Sequence, residues 1–340
     1  MTRPDETPAR RARIAARLRA VRLPLDRFTL ALVAVVALAS LAPARGAVAG
    51  GLDVATDVGV ALLFLLHGAK LSREDIVSGI TNWRLHLLVV AFTYAVFPAL
   101  ALLSRPLAAM GLTDELVIGF LFLSALPSTV QSSIAFTSIA RGNVPAAICA
   151  ASLSNLLGVA LTPLLVALLI SARGEVSLVS AVGKIVLLIL LPFVVGHLMR
   201  PLIGAWITRH KPVIGVVDRG AILLIVYAAF SASVVNGLWQ ELSLGTIAAT
   251  FVASSVLLAA VLWLSSRSAR WLGFDKRDEI TVMFCGSKKS LASGLPMARV
   301  LFAGHPALGA IVLPMMLFHQ IQLMVCAYLA ERYARRPDET

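Results

Sequence analysis

The sequence predicts an all-α membrane protein of ten transmembrane helices in two inverted five-helix repeats. Three observations predict it: composition, the alternation of basic segments, and an internal repeat. Of 340 residues, 59% are hydrophobic and 14% charged, with a mean hydropathy of +0.87. A soluble domain is about 25% charged, so there are too few polar side chains here to cover a water-facing surface. At about 20 residues per spanning helix, the apolar residues suffice for about ten spans. No sizeable soluble domain is left over, which excludes dinucleotide-binding and two-domain soluble enzymes.

Apolar runs between charged or Gly/Pro-rich punctuation place the spans near 26–43, 55–72, 84–104, 115–140, 144–170, 179–203, 214–237, 243–265, 279–301 and 306–330. The basic residues test this independently, because Lys and Arg collect in cytoplasmic loops. Only Arg45, Arg105, Arg173, Lys184 and Arg299 fall in the outer segments, and Lys288 and Lys289 fall within a span; every other Lys and Arg lies inside. Both termini are thus expected in the cytoplasm of a plasma (inner) membrane, with an Ala-rich, prokaryotic character. The formal charge of +12 is mostly topology. The Arg-rich arm over 1–25 suits anionic lipid rather than nucleic acid, and 333–340 forms a cytoplasmic tail. Reading the first span as a cleaved signal peptide ending near Ala47-Val-Ala49 would give it an unusually long basic region and remove a helix that the repeat needs. Cys149, Cys285 and Cys326 each sit in apolar stretches, at spacings that suit neither zinc nor a disulfide framework.

The repeat is read from three pairs in register. Asp57-Val-Gly59 and Asp218-Arg-Gly220 open the second and seventh spans. Asp114-Glu115 and Asp278-Glu279 open the fourth and ninth. Arg141-Gly-Asn-Val-Pro145 parallels Ala303-Gly-His-Pro306. Halves over 26–172 and 173–332 follow. Five crossings per half invert the second copy relative to the first, an architecture of secondary transporters whose site lies where broken helices meet.

The fourth and ninth spans carry the breaks. In the fourth, Pro127 removes a helix hydrogen bond, and Ser128, Thr129, Gln131, Ser132 and Ser133 can serve freed backbone groups or bind an ion. In the ninth, Gly286-Ser287-Lys288-Lys289-Ser290 and Gly294-Leu-Pro296 play the same part. An ammonium at mid-membrane costs at least ~2.5 kcal/mol and needs a cavity or a partner. One lysine is expected to face the cavity and the other a neighbouring helix, with Lys288 favoured for the cavity. The fifth span contributes Ser152, Ser154 and Asn155, and the tenth His319, Gln320 and Gln322. The bland alternative is that such groups only join helix to helix. No span holds paired Asp, His-Glu-x-x-His or Gly-x-Ser-x-Gly, so no enzyme, catalytic residue or cofactor is expected.

Three stretches carry a resemblance: Trp83-Arg-Leu-His-Leu-Leu88 to Phe97-Pro98, Pro127–Ser133 with Ala140-Arg-Gly-Asn143, and Gly286-Ser-Lys-Lys-Ser290 through Gly294-Leu-Pro296. Over about 26–330 the chain resembles the bile acid:sodium symporter family, in particular its bile-acid-symporter-like subgroup. The resemblance implies a core domain of the third to fifth and eighth to tenth helices, a panel of the first, second, sixth and seventh, and crossing broken helices 4 and 9. It implies sodium-coupled uptake of organic anions such as bile acids and steroid sulfates. The family's sodium-ligand positions depart from its pattern here. A Ser-Asn pair falls on Ser132-Ser133, hydroxyl residues on Ala147 and Ala151, an acidic ligand on Phe284 and a glutamine on Lys288.

A hard cation wants anionic and carbonyl oxygens. Losing a carboxylate and gaining a lysine argues against sodium near Ser132 and Ser133. The expectation is therefore a secondary active transporter of small amphipathic carboxylates or sulfates, working by alternating access, with a lysine ammonium in place of sodium and the process uncoupled or proton-coupled. The alternative is a membrane protein that binds a ligand or regulates a partner without transport. Besides the anion and the bilayer no partner is implied, and the oligomeric state is not legible.

Overall fold

A computed structural model describes residues 27–70, 82–102, 112–170 and 186–336. The Arg-rich arm, residues 337–340 of the C-terminal tail, Arg105, Arg173, Lys184 and the predicted start of the sixth span lie outside the described residues. Among the described residues every regular element is a helix.

The elements are α1 (Arg27–Leu41), α2 (Ala47–Lys70), α3 (Trp83–Leu102), α4 (Asp114–Ala125), α5 (Val130–Ile139), α6 (Val144–Ile170), α7 (Val186–Arg209), α8 (Lys211–Val235), α9 (Leu238–Glu241), α10 (Leu244–Trp271), α11 (Lys276–Gly286), α12 (Leu291–Leu301) and α13 (Leu308–Ala334). Seven of them, α2, α3, α6, α7, α8, α10 and α13, are long and apolar enough to cross a membrane. The pair α4 and α5, bent by 65° at its break, makes an eighth span if counted as one. Outward-facing apolar side chains such as Leu202, 81% exposed, and Leu244, 87% exposed, suit lipid rather than water.

Local sequence accounts for the ends. Asp114 and Glu115 lie in the first turn of α4, and Asp278 and Glu279 in that of α11, where carboxylates complement the helix dipole. Ser243, Asp275 and Ser290 cap α10, α11 and α12, each accepting from the backbone N–H three residues on. The third span departs from the straight helix that hydropathy predicts. Phe92–Val96 form a π turn just before Pro98, which lets the helix carry a residue that cannot donate.

Two packing groups are visible. In one, α7 lies along α2, and α8 packs on α1 and α2. In the other, α13 packs on α4, α10 on α11 and α13, and α6 on α3, α4, α5 and α11. The groups meet where α8 touches α12 and α13 and where α2 touches α12. Within the first group α2 and α7 cross backbone to backbone. A Cβ on Gly68 would fall 2.0 Å from Phe193 O, and one on Gly196 would fall 1.9 Å from Leu65 O. Only glycine at both positions permits that approach.

The breaks themselves are in register. The first half-helices end at Ala125 and Gly286, the second begin at Val130 and Leu291, and both pairs are 161 residues apart, the same offset as Asp57 and Asp218. Each break is four residues long. Leu126 and Thr129 in one, and Ser290 in the other, have extended backbone. Pro296 lies inside α12 and does not make the break.

Candidate functional site

A helix that stops in an apolar interior leaves carbonyls without donors. Each break supplies the donors for the other. Ser128 Oγ donates to Cys285 O at 2.6 Å, and Ser133 Oγ to Phe284 O at 3.3 Å. In return Lys289 Nζ donates to Ser124 O at 2.6 Å and Leu126 O at 2.8 Å, and also to Thr93 O at 2.8 Å. Ser128 and Lys289 are themselves 161 residues apart, as are the carbonyls of Ser124 and Cys285 that they serve. A main-chain bond from Ser290 N to Pro127 O, 2.9 Å, joins the two breaks directly.

The flanking helices hold each break in turn. From α6, Ser154 Oγ accepts from Ser128 N at 3.0 Å, and Asn155 Nδ2 donates to Ser128 O at 2.7 Å. From α13, Gln322 Oε1 accepts from Lys289 N at 3.0 Å, and its Nε2 donates to Lys289 O at 2.9 Å. Asn155 also accepts from Ser293 Oγ at 3.0 Å, so it joins the first break to α12. Gly158 lets α6 pass the first break, since a Cβ there would fall 2.7 Å from Tyr94 Oη and 2.8 Å from Pro127 Cβ.

A cavity of about 670 Å³ reaches these breaks from one side. Thr129, Val130, Gln131 and Ser132, at the N-terminus of α5, line it, and so do Ser290, Leu291, Ala292 and Ser293, at the N-terminus of α12. Ser152, Asn155 and His319 complete that wall, and Leu63, Phe64, Phe193 and Ile222 form an apolar wall opposite. At one end lie His67, Lys70, Asp218 and Arg219. Lys70 pairs with Asp218 at 2.5 Å, and the Arg219 guanidinium lies over the Phe28 ring at 6.0 Å. Near the other end of α2, roughly 25 Å away at 1.5 Å per residue, Arg299 of α12 pairs with Asp53 at 2.5 Å and with Asp57 at 3.5 Å.

The predicted site residues thus separate into those lining the cavity, those holding the breaks, and one turned away. Thr129, Gln131, Ser132, Ser152, Asn155, Ser290 and His319 line the cavity. Ser128, Ser133 and Ser154 are fully buried and hold the breaks. Gln320 instead accepts from Thr29 Oγ1 of α1 at 2.9 Å. Thr129 and Ser132 share a hydroxyl–hydroxyl bond. Neither lysine lines the cavity, which corrects the expectation that Lys288 faces it. The residue at 136 decides this. Its phenyl ring lies on the cavity wall with Lys288 Nζ 4.1 Å behind its centroid, and the Phe284 ring is 5.3 Å away. Among the described residues Lys288 Nζ and Ser287 Oγ have no hydrogen-bond partner, and both residues are fully buried. The other close groups are the thiols of Cys285 and Cys326.

Sequence reasoning missed the charged end of the cavity. His67 carried no expected role, and Arg219 and Lys70 read only as topology signals, although Asp218-Arg219 stands inside the repeated Asp-x-Gly motif that marked the seventh span. It also missed Phe136, whose role depends wholly on what lies behind it.

The profile of the SBF-like CPA transporter family matches residues 26–335. A putative symporter of Escherichia coli is 52% identical over 93% of this chain and 95% of its own length. An uncharacterized protein of Pseudomonas aeruginosa is 58% identical over 92% and 94%. The sodium/bile acid cotransporter 7 of Mus musculus is 30% identical over 89% and 90%. The chain belongs to the SBF-like CPA transporter family, within the bile acid:sodium symporters, and is a multi-pass membrane protein.

Proposed function

We propose that this member of a transporter family carries organic anions, bile-acid-like or other amphipathic carboxylates and sulfates, by alternating access. One observation carries the reading: the cavity ends on the N-termini of two half-helices, α5 and α12. First-turn N–H groups have no intrahelical acceptor and form the positive end of the helix dipole. Two such ends beside hydroxyls suit a carboxylate or sulfate, and the apolar wall of Leu63, Phe64 and Ile222 suits a lipophilic body.

The architecture proposed with it is ten spans, in which α4 with α5 and α11 with α12 each make one broken span. The halves 26–172 and 173–332 are inverted repeats, a reading supported by the matching registers of the breaks. The panel is α1, α2, α7 and α8, and the core is the remaining spans. With both termini in the cytoplasm, the cavity opens inward past Lys70 and Arg219, and the Arg299 pairs with Asp53 and Asp57 close the outer side between core and panel.

Sodium does not drive this cycle at the family's position, because an apolar ring at Phe284 and a lysine at 288 replace a carboxylate and an amide. A proton takes its place, exchanged on the Lys288 amine when Phe136 swings aside. The groups facing that amine are the Cys285 and Cys326 thiols and the two phenyl rings. Proteoliposomes given a radiolabelled bile-acid conjugate should accumulate it saturably, equally well in sodium and in choline. Lys288→Gln should flatten the pH profile of uptake; an unchanged profile would remove Lys288 from coupling. Saturable binding without flux would support instead a non-transporting, ligand-sensing protein, a reading that the replaced sodium ligands favour.

A further inference from the structure

We infer that the Lys289 ammonium is a built-in cation, filling a site that the main-chain carbonyls of Thr93, Ser124 and Leu126 would otherwise offer to a free monovalent cation. The inference concerns an ion site and holds whichever anion is carried.

Each of the three carbonyls lacks a main-chain donor for a reason that can be followed along the chain. In the π turn, Phe97 N–H donates to Phe92 O, so the next donor in that pattern, for Thr93 O, would be residue 98. That residue is proline and has no N–H. Ser124 O would receive Ser128 N–H in a continuing α-helix, but that N–H goes to Ser154 Oγ. Leu126 lies in the extended break beyond the end of α4. Three orphaned acceptors from two spans therefore converge on one point, 2.6 to 2.8 Å from Lys289 Nζ.

The count of donors favours the charged form. An ammonium has three N–H groups for three carbonyls, whereas a neutral amine has two and would turn its lone pair on the third oxygen. The C-terminal end of α4 adds the negative pole of its dipole, and the Phe97 ring, 4.1 Å from Nζ, covers another side with its π face. Among the described residues no carboxylate pairs with Lys289, so the carbonyl dipoles, the helix end and the ring face balance the charge. This is the ligand set that a hard monovalent cation takes from a protein backbone. Position matters as much as charge: Lys288, the preceding residue, has none of these oxygens.

Lys289→Ala tests this, because it removes a fragment the size of n-propylammonium and leaves the carbonyls in place. The purified variant, kept throughout in one of several chloride salts at equal ionic strength, is followed by melting temperature. A ligand that prefers the folded state raises that temperature. The expected result is a deficit in choline chloride, recovered saturably by n-propylammonium and in part by sodium or potassium, with no response of the wild type to any of them. Equal recovery by n-propanol would show that a void, not a charge, was filled and would overturn the inference, as would a variant as stable as wild type in choline.

Should the variant not fold, the wild type carries the test through 15N-labelled lysine. Two Nζ signals should be protected from solvent, and one of them should have the ammonium shift. If both have the amine shift, the inference fails. Neither readout depends on uptake, so failure here and failure of the organic-anion reading are distinguishable.

Discussion

The two helix breaks solve one problem with different chemistry. At the first, Ser128 serves a single carbonyl across the crossing with a neutral hydroxyl. At the second, Lys289, 161 residues further on, serves three with an ammonium. Each is held at main-chain N and O by an amide or hydroxyl from the following long helix. The difference teaches that the symmetric part of the site is its backbone and the asymmetric part its charge. A four-residue break in a helix in a membrane interior demands donors; whether these are neutral or cationic decides what else can bind there.

Breaking the comparison at its charged side should cost most. Lys289→Met keeps the length of the stem and leaves three buried carbonyls without donors, so at about 1–3 kcal/mol for each unsatisfied group a loss of roughly 3 kcal/mol or more is expected. Unfolding in detergent measures it, and a loss below about 1 kcal/mol would contradict the three-carbonyl assignment. Gln322→Ala comes next, because it frees both main-chain groups of Lys289; roughly 2 kcal/mol is expected, with Gln322→Glu recovering only the N–H partner. Ser128→Ala removes one hydroxyl and should cost about 1 kcal/mol. Were it to cost as much as Lys289→Met, the charge asymmetry between the breaks would not matter.

Lys288→Met sharpens the comparison from the other side. A buried amine with no partner contributes nothing that a thioether of similar volume cannot, so stability should stay within about 1 kcal/mol of wild type or rise. The smallest effect on stability is expected at Arg299→Gln, since a partly exposed ion pair is worth about 0–1 kcal/mol. Its readout is access. A cysteine placed at Ser293 in a cysteine-free background should become more reactive to impermeant reagents added from the Arg299 side, because the pairs with Asp53 and Asp57 are gone.

Much of this was legible in order along the chain. Pro127 and the hydroxyls after it marked the first break, and Gly286-Ser-Lys-Lys-Ser290 the second, because proline, glycine and clustered polar residues inside an apolar run have few other physical meanings. The repeat offset read from Asp57 and Asp218 reappears at the ends of all four half-helices. The π turn at Phe92–Val96 was not legible, since Pro98 alone does not say whether a helix kinks, ends or widens. Gln320 and Gln322 look alike in sequence, yet one meets α1 and the other holds Lys289.

The sequence by itself determined that the chain lives in a membrane, where its helices break, and that two lysines stand at one break, because composition and local backbone chemistry are one-dimensional facts. Only the tertiary structure decided which lysine is partnered. The carbonyls that hold Lys289 come from residues 163 to 196 positions away, and the ring that hides Lys288 belongs to another span. On an interior where neighbouring residues point in different directions, an ammonium takes its role from the oxygens within about 3 Å, and those oxygens are brought there by packing rather than by sequence.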